Sequence, residues 1–266
     1  MRLKLMVRRR MQNALGVDRY LRAFHLYLHF AFRFLHRVPY FRRKFEDLSI
    51  LLAETRPGDL VIDVGANIGF YTRELAHAVG PDGLVLAVEP VEVNRKVLER
   101  VLPKAYRSRI QVVPLIVSDH FGQQAIELTS VSGAFLHGTC HVVDNPVTGA
   151  SVEVVDSTTI DHLSNNVSGR RVALLKIDVE GHEDKVLGGA LRTLADDRPF
   201  VACEIHERRI DQVLPIFEQS GYAAFVTGRS GQLVPLDRTR LDWRTRNDYF
   251  FRVLRSSGGG DAAATE

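Results

Sequence analysis

The residues best suited to binding or catalysis begin in the stretch LVIDVGANIGFYT, residues 60–72. Its first five residues form an apolar run typical of a buried strand, and two glycines four residues apart follow it. This pattern predicts a strand that ends in a glycine turn at the start of a helix, where backbone N–H groups face a nucleotide-like ligand. Gly65 would let the backbone approach that ligand, and Gly69 would let the helix pack close to the strand.

Polar residues also follow the next two predicted strands. Glu89 ends the second strand, twenty residues after Gly69, where an acid can accept hydrogen bonds from both hydroxyls of a ribose. Ser118 and Asp119 end the third strand and are placed to reach an adenine edge. Because the carboxyl ends of parallel strands lie at one edge of a sheet, these residues together predict a nucleoside site.

The charge at the strand end indicates which nucleoside binds. A dinucleotide fingerprint has three glycines, GxGxxG, whereas GANIG has only the first and the last. Asp63 would meet a pyrophosphate badly but an ammonium or a sulfonium well, which favours S-adenosyl-L-methionine over NAD. Two alternatives remain: an NAD(P)-dependent oxidoreductase, and a nucleoside-binding or membrane-docking module without catalysis.

Three motifs together, VIDVGANIGFYT, AVEP and LLKIDVEGHEDKVLGGA, resemble the FkbM-type family of S-adenosylmethionine-dependent O-methyltransferases over residues 63–254. The resemblance implies an α/β fold with a doubly wound, seven-stranded Rossmann-like sheet whose last strand is antiparallel. It also implies methyl transfer to a hydroxyl of a sugar, glycolipid or secondary metabolite. By this resemblance, the residues expected around the methionine portion of the cofactor are Asp63, Gly65, Ala66, Asn67 and Gly69. Tyr71 and Thr72 are expected to line the same pocket, with Glu89 on the ribose and Asp119 on the adenine.

The candidates for catalysis lie near the fourth and fifth predicted strands. Lys176 and Asp178 are two residues apart on one strand and therefore share a face, with Asp178 beside the predicted sulfonium. Methyl transfer to a hydroxyl needs oxygen, methyl carbon and sulfur in line, and a group that takes the hydroxyl proton. Asp178, Glu180 or His206 is expected to be that base, and histidine is the residue type that titrates nearest neutral pH.

Each candidate also has a purely structural interpretation. Glu180 could cap the following helix, and His182 on an exposed first turn is more typical of a solvated residue. Asp178, Glu204 and His206 could also hold a divalent cation that acidifies a substrate diol, although the sequence fixes no ligand geometry. We expect no bound metal.

The two cysteines, Cys140 and Cys203, indicate a reducing compartment because they form no disulfide framework and no CxxC pair. His137 and His141 flank Cys140 like half of a zinc site, but no second ligand pair follows. The start, MRLKLMVRRRMQ, lacks the apolar core and cleavage site of a secretory signal. The sequence therefore predicts a cytoplasmic protein.

The charge divides the chain into a basic head, residues 1–45, and an acidic body, residues 46–254. Residues 1–44 hold twelve Lys or Arg against one acid, a net charge of +11, whereas the remainder holds 23 basic and 31 acidic residues, a net charge of −8. The body has the apolar content of an ordinary globular domain, with 45% hydrophobic residues in the whole chain.

Residues 20–38 of the head are predicted to form an amphipathic helix, because apolar residues recur at helical spacing: Leu21, Phe24, Leu28, Ala31, Leu35 and Val38. The opposite, polar stripe holds Arg22, His25, His29, Arg33 and His36, and these ionisable side chains argue against a membrane-spanning helix. The helix either packs on the acidic body or mediates a dimer, or it lies on anionic lipid at the cytoplasmic face of a membrane. Nucleic-acid binding is disfavoured because the basic residues share the helix with a large apolar face.

Strands and helices alternate through the body, which predicts a parallel sheet covered on both faces. The predicted strands are residues 60–64, 84–88, 110–117, 172–179, 200–205, 223–226 and 249–254; the predicted helices are residues 46–55, 70–79, 93–102, 183–194 and 211–220. Residues 119–157 interrupt the pattern and predict a β-hairpin insertion with a long connection. The small, polar tail, residues 255–266, is expected to be disordered.

Overall fold

The computed structural model of the chain describes residues 2–131, 133–167, 169–228, 231–239 and 247–254. The tail at residues 255–266 lies outside the described residues. The helices are α1 (Arg2–Leu15), α2 (Val17–Leu35), α3 (Pro39–Lys44), α4 (Glu46–Glu54), α5 (Phe70–Ala78), α6 (Glu92–Val101), α7 (Ile160–Asn165), α8 (Glu183–Gly188), α9 (Leu191–Asp196) and α10 (Ile210–Gln219). The strands are β1 (Leu60–Val64), β2 (Leu84–Val88), β3 (Ile110–Val113), β4 (Ile116–Val117), β5 (Gly122–Leu128), β6 (Ser130–Val131), β7 (Ala134–Phe135), β8 (His141–Val143), β9 (Ser151–Thr158), β10 (Val172–Ile177), β11 (Phe200–Glu204), β12 (Tyr222–Thr227), β13 (Leu233–Pro235) and β14 (Asp248–Val253).

The main sheet has the order β13-β12-β14-β11-β10-β1-β2-β3 within the described residues. Strands β3, β2, β1, β10 and β11 are parallel, and β14 runs antiparallel between β11 and β12. The mixed α/β fold with a large sheet is confirmed. The sheet has eight described strands instead of the seven expected, because residues 233–235 fold back along β12 as an antiparallel edge strand.

Strand β1 lies at the centre of this sheet and is buried along its whole length. Ile62 and Val64 contribute to the core on one face of the sheet, and Val61 contributes to the core on the other face. Asp63 alternates onto the Val61 face, in register with Lys176 of β10. A charged pair therefore takes the place of two apolar residues next to the carboxyl end of the strand.

The insertion is larger than the predicted hairpin. Strands β5 and β9 pair as expected, but β8 and β4 extend them into a four-stranded sheet. The predicted strand at residues 110–117 divides into β3 in the main sheet and β4 in this second sheet. Pro114 lies between the two parts, and its missing N–H does not support a continuous ladder.

The predicted helix at residues 183–194 is in fact two helices, α8 and α9, interrupted after Gly188. A Cβ atom on Gly189 would lie 2.1 Å from the backbone oxygen of Ser118. The backbone therefore passes too close to the end of β4 for a side chain, and the break brings the start of α8 toward the predicted ligand edge.

The head packs on the body through the predicted apolar seam of α2. Leu21 clusters with Ile68 and Val97, and Ala31 clusters with Phe45 and Phe70. This agrees with the first of the two interpretations of the helix. No helix in the described ranges combines the length and the apolar character that crossing a bilayer requires.

Two histidines of α2, expected on the polar stripe, instead face the body. His25 is fully buried, with its Nδ1 atom 3.0 Å from the Ile68 carbonyl oxygen, and the Nδ1 atom of His29 lies 2.7 Å from the Glu74 carboxylate. Both contacts lie at or just after the glycine turn. The head is therefore attached directly beside the predicted cofactor site.

Candidate active site

A cavity of about 220 Å³, which we call the main cavity, opens at the carboxyl ends of β1, β2 and β10. This is the edge at which the sequence predicts the nucleoside. Its polar lining comes from these strand ends, from Glu204 at the end of β11, from Asn94 of α6 and from the insertion: Gly65, Asn67, Glu89, Asn94, Asp178, Glu180, His182, Glu204, His137, Cys140 and His141. The strand ends and Asn94 thus provide one wall, and the insertion provides the other.

The glycine turn has the tight backbone that the motif predicts. Gly65 has φ +79°, and a Cβ atom there would lie 1.8 Å from the backbone oxygen of Asp178. The N–H groups of Gly65 and Ala66 both donate to the last carbonyl of β2. Gly69 has φ +81°, and its Cβ would lie 2.7 Å from Cγ of Leu98 on α6. Gly65 therefore allows the ends of β1 and β10 to meet, and Gly69 allows a helix to pack on the turn.

Glu89 is fixed at the cavity wall by three hydrogen bonds. Its carboxylate accepts from the backbone N–H of Asn67 at 2.7 Å, from that of Val91 at 2.9 Å and from Asn94 Nδ2 at 3.2 Å. Burial raises the pKa of Glu89 to about 7, although these hydrogen bonds oppose the rise. The buried Asn94 Oδ1 atom beside it has no partner in the described part of the chain. Both side chains suit a ligand that brings hydroxyl donors, as a ribose does.

Asp63 lies behind the turn and is not among the residues lining the main cavity. It is fully buried, accepts a hydrogen bond from Thr72 Oγ1 at 2.7 Å and lies 3.4 Å from Lys176 Nζ. Tyr71, on the same helix, donates to the Asp47 carboxylate and lines a separate small cavity. The expected placement of Tyr71 and Thr72 in the cofactor pocket is not found, because α5 turns this face toward α4 and β10.

Lys176 is the cation shared by the carboxylates at this edge. Its Nζ atom lies 3.4 Å from both Asp63 and Asp178 and 4.8 Å from the centre of the Tyr71 ring. Although burial alone would lower it, these two carboxylates raise the pKa of Lys176. Asp63 thus reaches the cavity only indirectly, by helping to hold the lysine beside Asp178.

The predicted adenine residues lie next to the cavity but do not line it. Ser118 is fully buried, and its hydroxyl lies 3.2 Å from His182 Nε2, whose residue does line the cavity. Asp119 contacts His120 and Lys185, and hydrogen bonds from both lower the pKa of Asp119 to about 2. His182 is half-buried, so its expected solvated position is wrong: its ring lies against Ser118, which directly follows β4.

Asp178 and Glu180 lie where the main cavity meets a neighbouring one of about 240 Å³. The neighbouring cavity is lined in addition by Glu204, His206 and Asn247, among others. Glu180 has φ +55°, an uncommon backbone conformation for a residue with a side chain. Partial burial and then the Asp178 carboxylate raise the pKa of Glu180 to about 7. The three candidate bases are thus together at one junction, with Asp178 and Glu180 facing both cavities and His206 facing only the second.

From the sequence, Glu204 is a candidate only as a metal ligand. In the structure it lines both cavities. Partial burial and the carboxylates of Asp178 and Asp248 raise the pKa of Glu204 to about 8. No group of three His, Cys, Asp or Glu side chains within the described ranges has an arrangement that could hold a metal ion.

His137 connects the opposite wall to the glycine turn and to α6. The sequence indicates this residue only as part of an incomplete zinc site. Its Nδ1 atom lies 2.8 Å from Asn67 Oδ1, and its carbonyl oxygen accepts from the side-chain amides of Asn67 and Asn94. Burial and the charge of Arg8 lower the pKa of His137 to about 4, so the ring is neutral near pH 7. The ring of Phe24 on α2 packs against it, with 5.6 Å between ring centres.

The head also holds this wall through Gln12 of α1. Its side-chain amide donates to the Phe135 carbonyl at 3.0 Å and accepts from the Phe135 N–H at 2.9 Å. This paired hydrogen bond joins residues 123 positions apart. The sequence carries no local signal for such a contact, since neither residue belongs to a motif.

A family model described as the methyltransferase FkbM domain matches residues 63–223. One relative is the 31-O-demethyl-FK506 methyltransferase FkbM of Streptomyces tacrolimicus, 35% identical over 166 residues that cover 51% of this chain and 61% of the relative. Another is the hexuronic acid methyltransferase AglP of Haloferax volcanii, 29% identical over 162 residues that cover 60% of this chain and 61% of the relative. The chain thus spans 61% of the length of each of these two curated relatives.

Among solved structures, the methyltransferase FkbM of Methylobacillus flagellatus aligns with a TM-score of 0.48 and 18% identity, covering 74% of this chain and 44% of that one. The S-adenosylmethionine-dependent O-methyltransferase of Thermotoga maritima aligns with a TM-score of 0.42 and 17% identity, covering 80% of this chain and 66% of that one.

Proposed function

The chain belongs to the FkbM family of S-adenosylmethionine-dependent methyltransferases, and we propose that it transfers a methyl group from S-adenosyl-L-methionine to a hydroxyl of a sugar, glycolipid or secondary metabolite. The observation that carries this proposal is the junction at Asp178 and Glu180. One cavity at this junction has the nucleoside-binding features, and the second has room for an acceptor beside the candidate bases.

The residues of the main cavity suit the cofactor. Gly65 and Asn67 would hold the methionine portion at the turn, and the fixed carboxylate of Glu89 would accept the ribose hydroxyls. Ser118 and Asp119 remain the candidates for the adenine end, beside the cavity wall formed by His182. When bound, S-adenosyl-L-methionine supplies an electrophilic methyl group on a sulfonium, which the surrounding carboxylates stabilise.

Glu180 is the base that we favour. A base for this reaction must be ionised near neutral pH and must still hold a proton well enough to remove it from a hydroxyl. A carboxyl group with its pKa raised to about 7 meets both requirements, and Glu180 faces both cavities. Asp178 is engaged by Lys176, so it would orient the substrates, and His206 would contact the acceptor from the second cavity.

The acceptor class is supported by the two relatives, one named for a hexuronic acid and the other for 31-O-demethyl-FK506. Hydroxyl-bearing sugars and secondary metabolites are therefore the first acceptors to test. The mixture of carboxylates with Arg208 in the second cavity suits a polar acceptor better than an apolar one.

Calorimetry with S-adenosyl-L-methionine and with NADH tests the cofactor first. We expect S-adenosyl-L-methionine to bind and NADH not to bind. Binding of NADH without binding of S-adenosyl-L-methionine would contradict the proposal. Transfer of a labelled methyl group to a panel of hexuronates, neutral sugars and secondary metabolites then tests the reaction. Cofactor binding without transfer to any hydroxyl acceptor would favour the non-catalytic module.

The base is tested by Glu180→Gln, with Glu99→Gln on the exposed surface of α6 as the matched control. At saturating cofactor, kcat should rise about tenfold per pH unit below 7 and then level off, because only the ionised carboxylate of Glu180 accepts the proton. Glu180→Gln should lower kcat by about a hundredfold or more and remove this rise. If the rise persists in Glu180→Gln and disappears in His206→Gln, the base is His206.

A further inference from the structure

Helix α2 has a second apolar face, beside the seam that packs on the body. Leu26, Tyr27, Phe30 and Phe34 recur at helical spacing, and their exposed fractions are 57%, 46%, 53% and 67%. We call these four residues, with Val38 and Tyr40 that follow them, the outer face of the head. A row of solvent-exposed aromatic side chains is typical of a surface that binds a partner.

The first helix of the head has a similar character. Its exposed large apolar side chains are Leu3, Met6, Val7, Met11 and Leu15. Helices α1 and α2 pack against each other, joined at Gly16, so apolar exposure is a property of the whole head. The buried side of α1 is marked by Gln12, which holds the insertion.

Unneutralised basic residues surround the outer face. Arg33, Arg37, Arg42 and Arg43 are exposed, and no carboxylate in the described part of the chain lies within 4 Å of any of them. The only acid in residues 1–44, Asp18, is already paired with Arg22 at 3.0 Å and with Arg100 at 2.6 Å.

Lysines add to this charge at the end of the outer face. Lys44 Nζ lies 5.9 Å from the centre of the Tyr27 ring. Partial burial and the nearby Lys4 lower the pKa of Lys44, so positive charges are close together without an acid between them. This surface therefore carries an excess of positive charge that anions of a binding partner would neutralise.

We propose that the outer face of the head docks on an anionic lipid bilayer, with its aromatic side chains in the headgroup layer and its arginines on lipid phosphates. A large apolar stripe bordered by arginines is the arrangement that such a surface binds. A second copy of the chain suits this face less well, because a two-fold contact would bring the same cations together. Binding to lipid does not depend on the proposed reaction, so each can fail without the other.

The inner face of the same helix contacts the active site. Phe24 packs on His137, and His25 lies on the backbone of the glycine turn. Docking would therefore hold the main cavity at a fixed orientation relative to the membrane.

Flotation of the full chain with vesicles tests this surface. The vesicles are phosphatidylcholine alone, or phosphatidylcholine with about one third phosphatidylglycerol. We expect the wild-type chain to float with the anionic vesicles, to release them as salt is added and to leave the neutral vesicles largely unbound. The double variant Phe30→Glu, Phe34→Glu should lower the partition coefficient by about tenfold or more.

Leu191→Glu is the matched control, because Leu191 on α9 of the body has the same 53% exposure as Phe30. It should float like the wild type. Arg33→Gln with Arg37→Gln should reduce binding by about fivefold for each arginine and should weaken the salt dependence. Thermal unfolding followed by circular dichroism shows that each variant is folded.

Three results would overturn the proposal: a wild-type chain that does not float, a double phenylalanine variant that floats as well as the control, or neutral vesicles that bind as tightly as anionic ones. A concentration-dependent dimer in sedimentation equilibrium that the phenylalanine variant dissociates, without vesicle binding, would instead assign the outer face to self-association.

Discussion

The two walls of the main cavity are held together in different ways. The turn wall, residues 64–69 with Glu89, is fixed by backbone geometry and by hydrogen bonds that join the turn to residues 22 or 23 positions away at the end of β2. The insertion wall, residues 136–142, is fixed by side chains from distant segments, since His137 reaches Asn67 across 70 positions and Gln12 reaches Phe135 across 123. The turn at which we propose that the cofactor binds therefore depends mainly on a short motif, whereas the insertion wall depends on contacts between residues 70 or more positions apart.

The largest expected effect is on the turn wall, from Gly65→Ala. The new Cβ would lie 1.8 Å from the Asp178 backbone oxygen, in addition to the strain of a positive φ. We expect a loss of about 3 kcal/mol or more in the free energy of unfolding, measured by urea denaturation. Gly221→Ala is the control, because Gly221 has φ +78° but no atom within 4 Å of its Cβ position, and it should cost about 1–2 kcal/mol. If the two variants lose the same free energy of unfolding, the close approach of β1 and β10 at Gly65 does not contribute to stability.

The second effect is on ligand binding at the same wall, from Glu89→Gln. Loss of the charged acceptor should raise the Kd for S-adenosyl-L-methionine by about tenfold to a hundredfold in calorimetry. An unchanged Kd would remove Glu89 from the ribose site.

The pH dependence of binding separates the walls further. Burial raises the pKa of Glu89 to about 7 and lowers that of His137 to about 4. Between pH 7 and 5, therefore, Glu89 gains a proton while His137 stays neutral. The Kd of the wild-type chain should rise about tenfold per pH unit as the pH falls through this range. Glu89→Gln should abolish this slope, and Glu180→Gln should retain it; the opposite result would assign the titration to Glu180.

A smaller effect is expected at the insertion wall, from His137→Ala. This change removes the hydrogen bond to Asn67 and the contact with Phe24, so the Kd for S-adenosyl-L-methionine should rise about fivefold. His141 also lines the cavity, and the one hydrogen bond of its ring within the described residues is to the Thr139 carbonyl. His141→Ala is therefore the control, with less than about a twofold change. If His137→Ala and His141→Ala have the same Kd for S-adenosyl-L-methionine, the His137 contacts do not contribute to cofactor affinity.

The smallest effect is expected from Gln12→Ala, which removes both hydrogen bonds to the Phe135 backbone. Cofactor affinity should change by only about twofold, because the contact is one layer away from the cavity. Hydrogen exchange of the Phe135 amide should nevertheless accelerate clearly. Unchanged exchange would show that the head does not support the insertion.

The same contrast explains what the sequence could predict. Strands β1 and β2 have the predicted bounds, because a strand buried on both faces is a continuous apolar run. The positions of Gly65 and Glu89 at the ligand edge follow from their places after these strands. Local chemistry was sufficient for this half of the site.

Other features depend on contacts that no local pattern contains. The break at Gly189 follows from its approach to Ser118, which is 71 positions away in the sequence. The burial of His25 follows from a carbonyl oxygen exposed by the glycine turn, so a residue that looked solvent-facing on the helical wheel became an inward one. The four-stranded sheet and the loop that it carries depend on pairing across a long insertion, for which the sequence predicts only a β-hairpin.

The insertion of β14 between β11 and β12 has a consequence for biosynthesis. Until residues 248–253 have left the ribosome, β11 and β12 each have a row of unpaired backbone groups, and the sheet remains in two parts. Such edges are the places where unfinished chains pair wrongly with one another. The nascent protein therefore has to protect these edges while residues 205–253 are made, and β14 then closes the sheet and places Asp248 beside Lys176 in a single step.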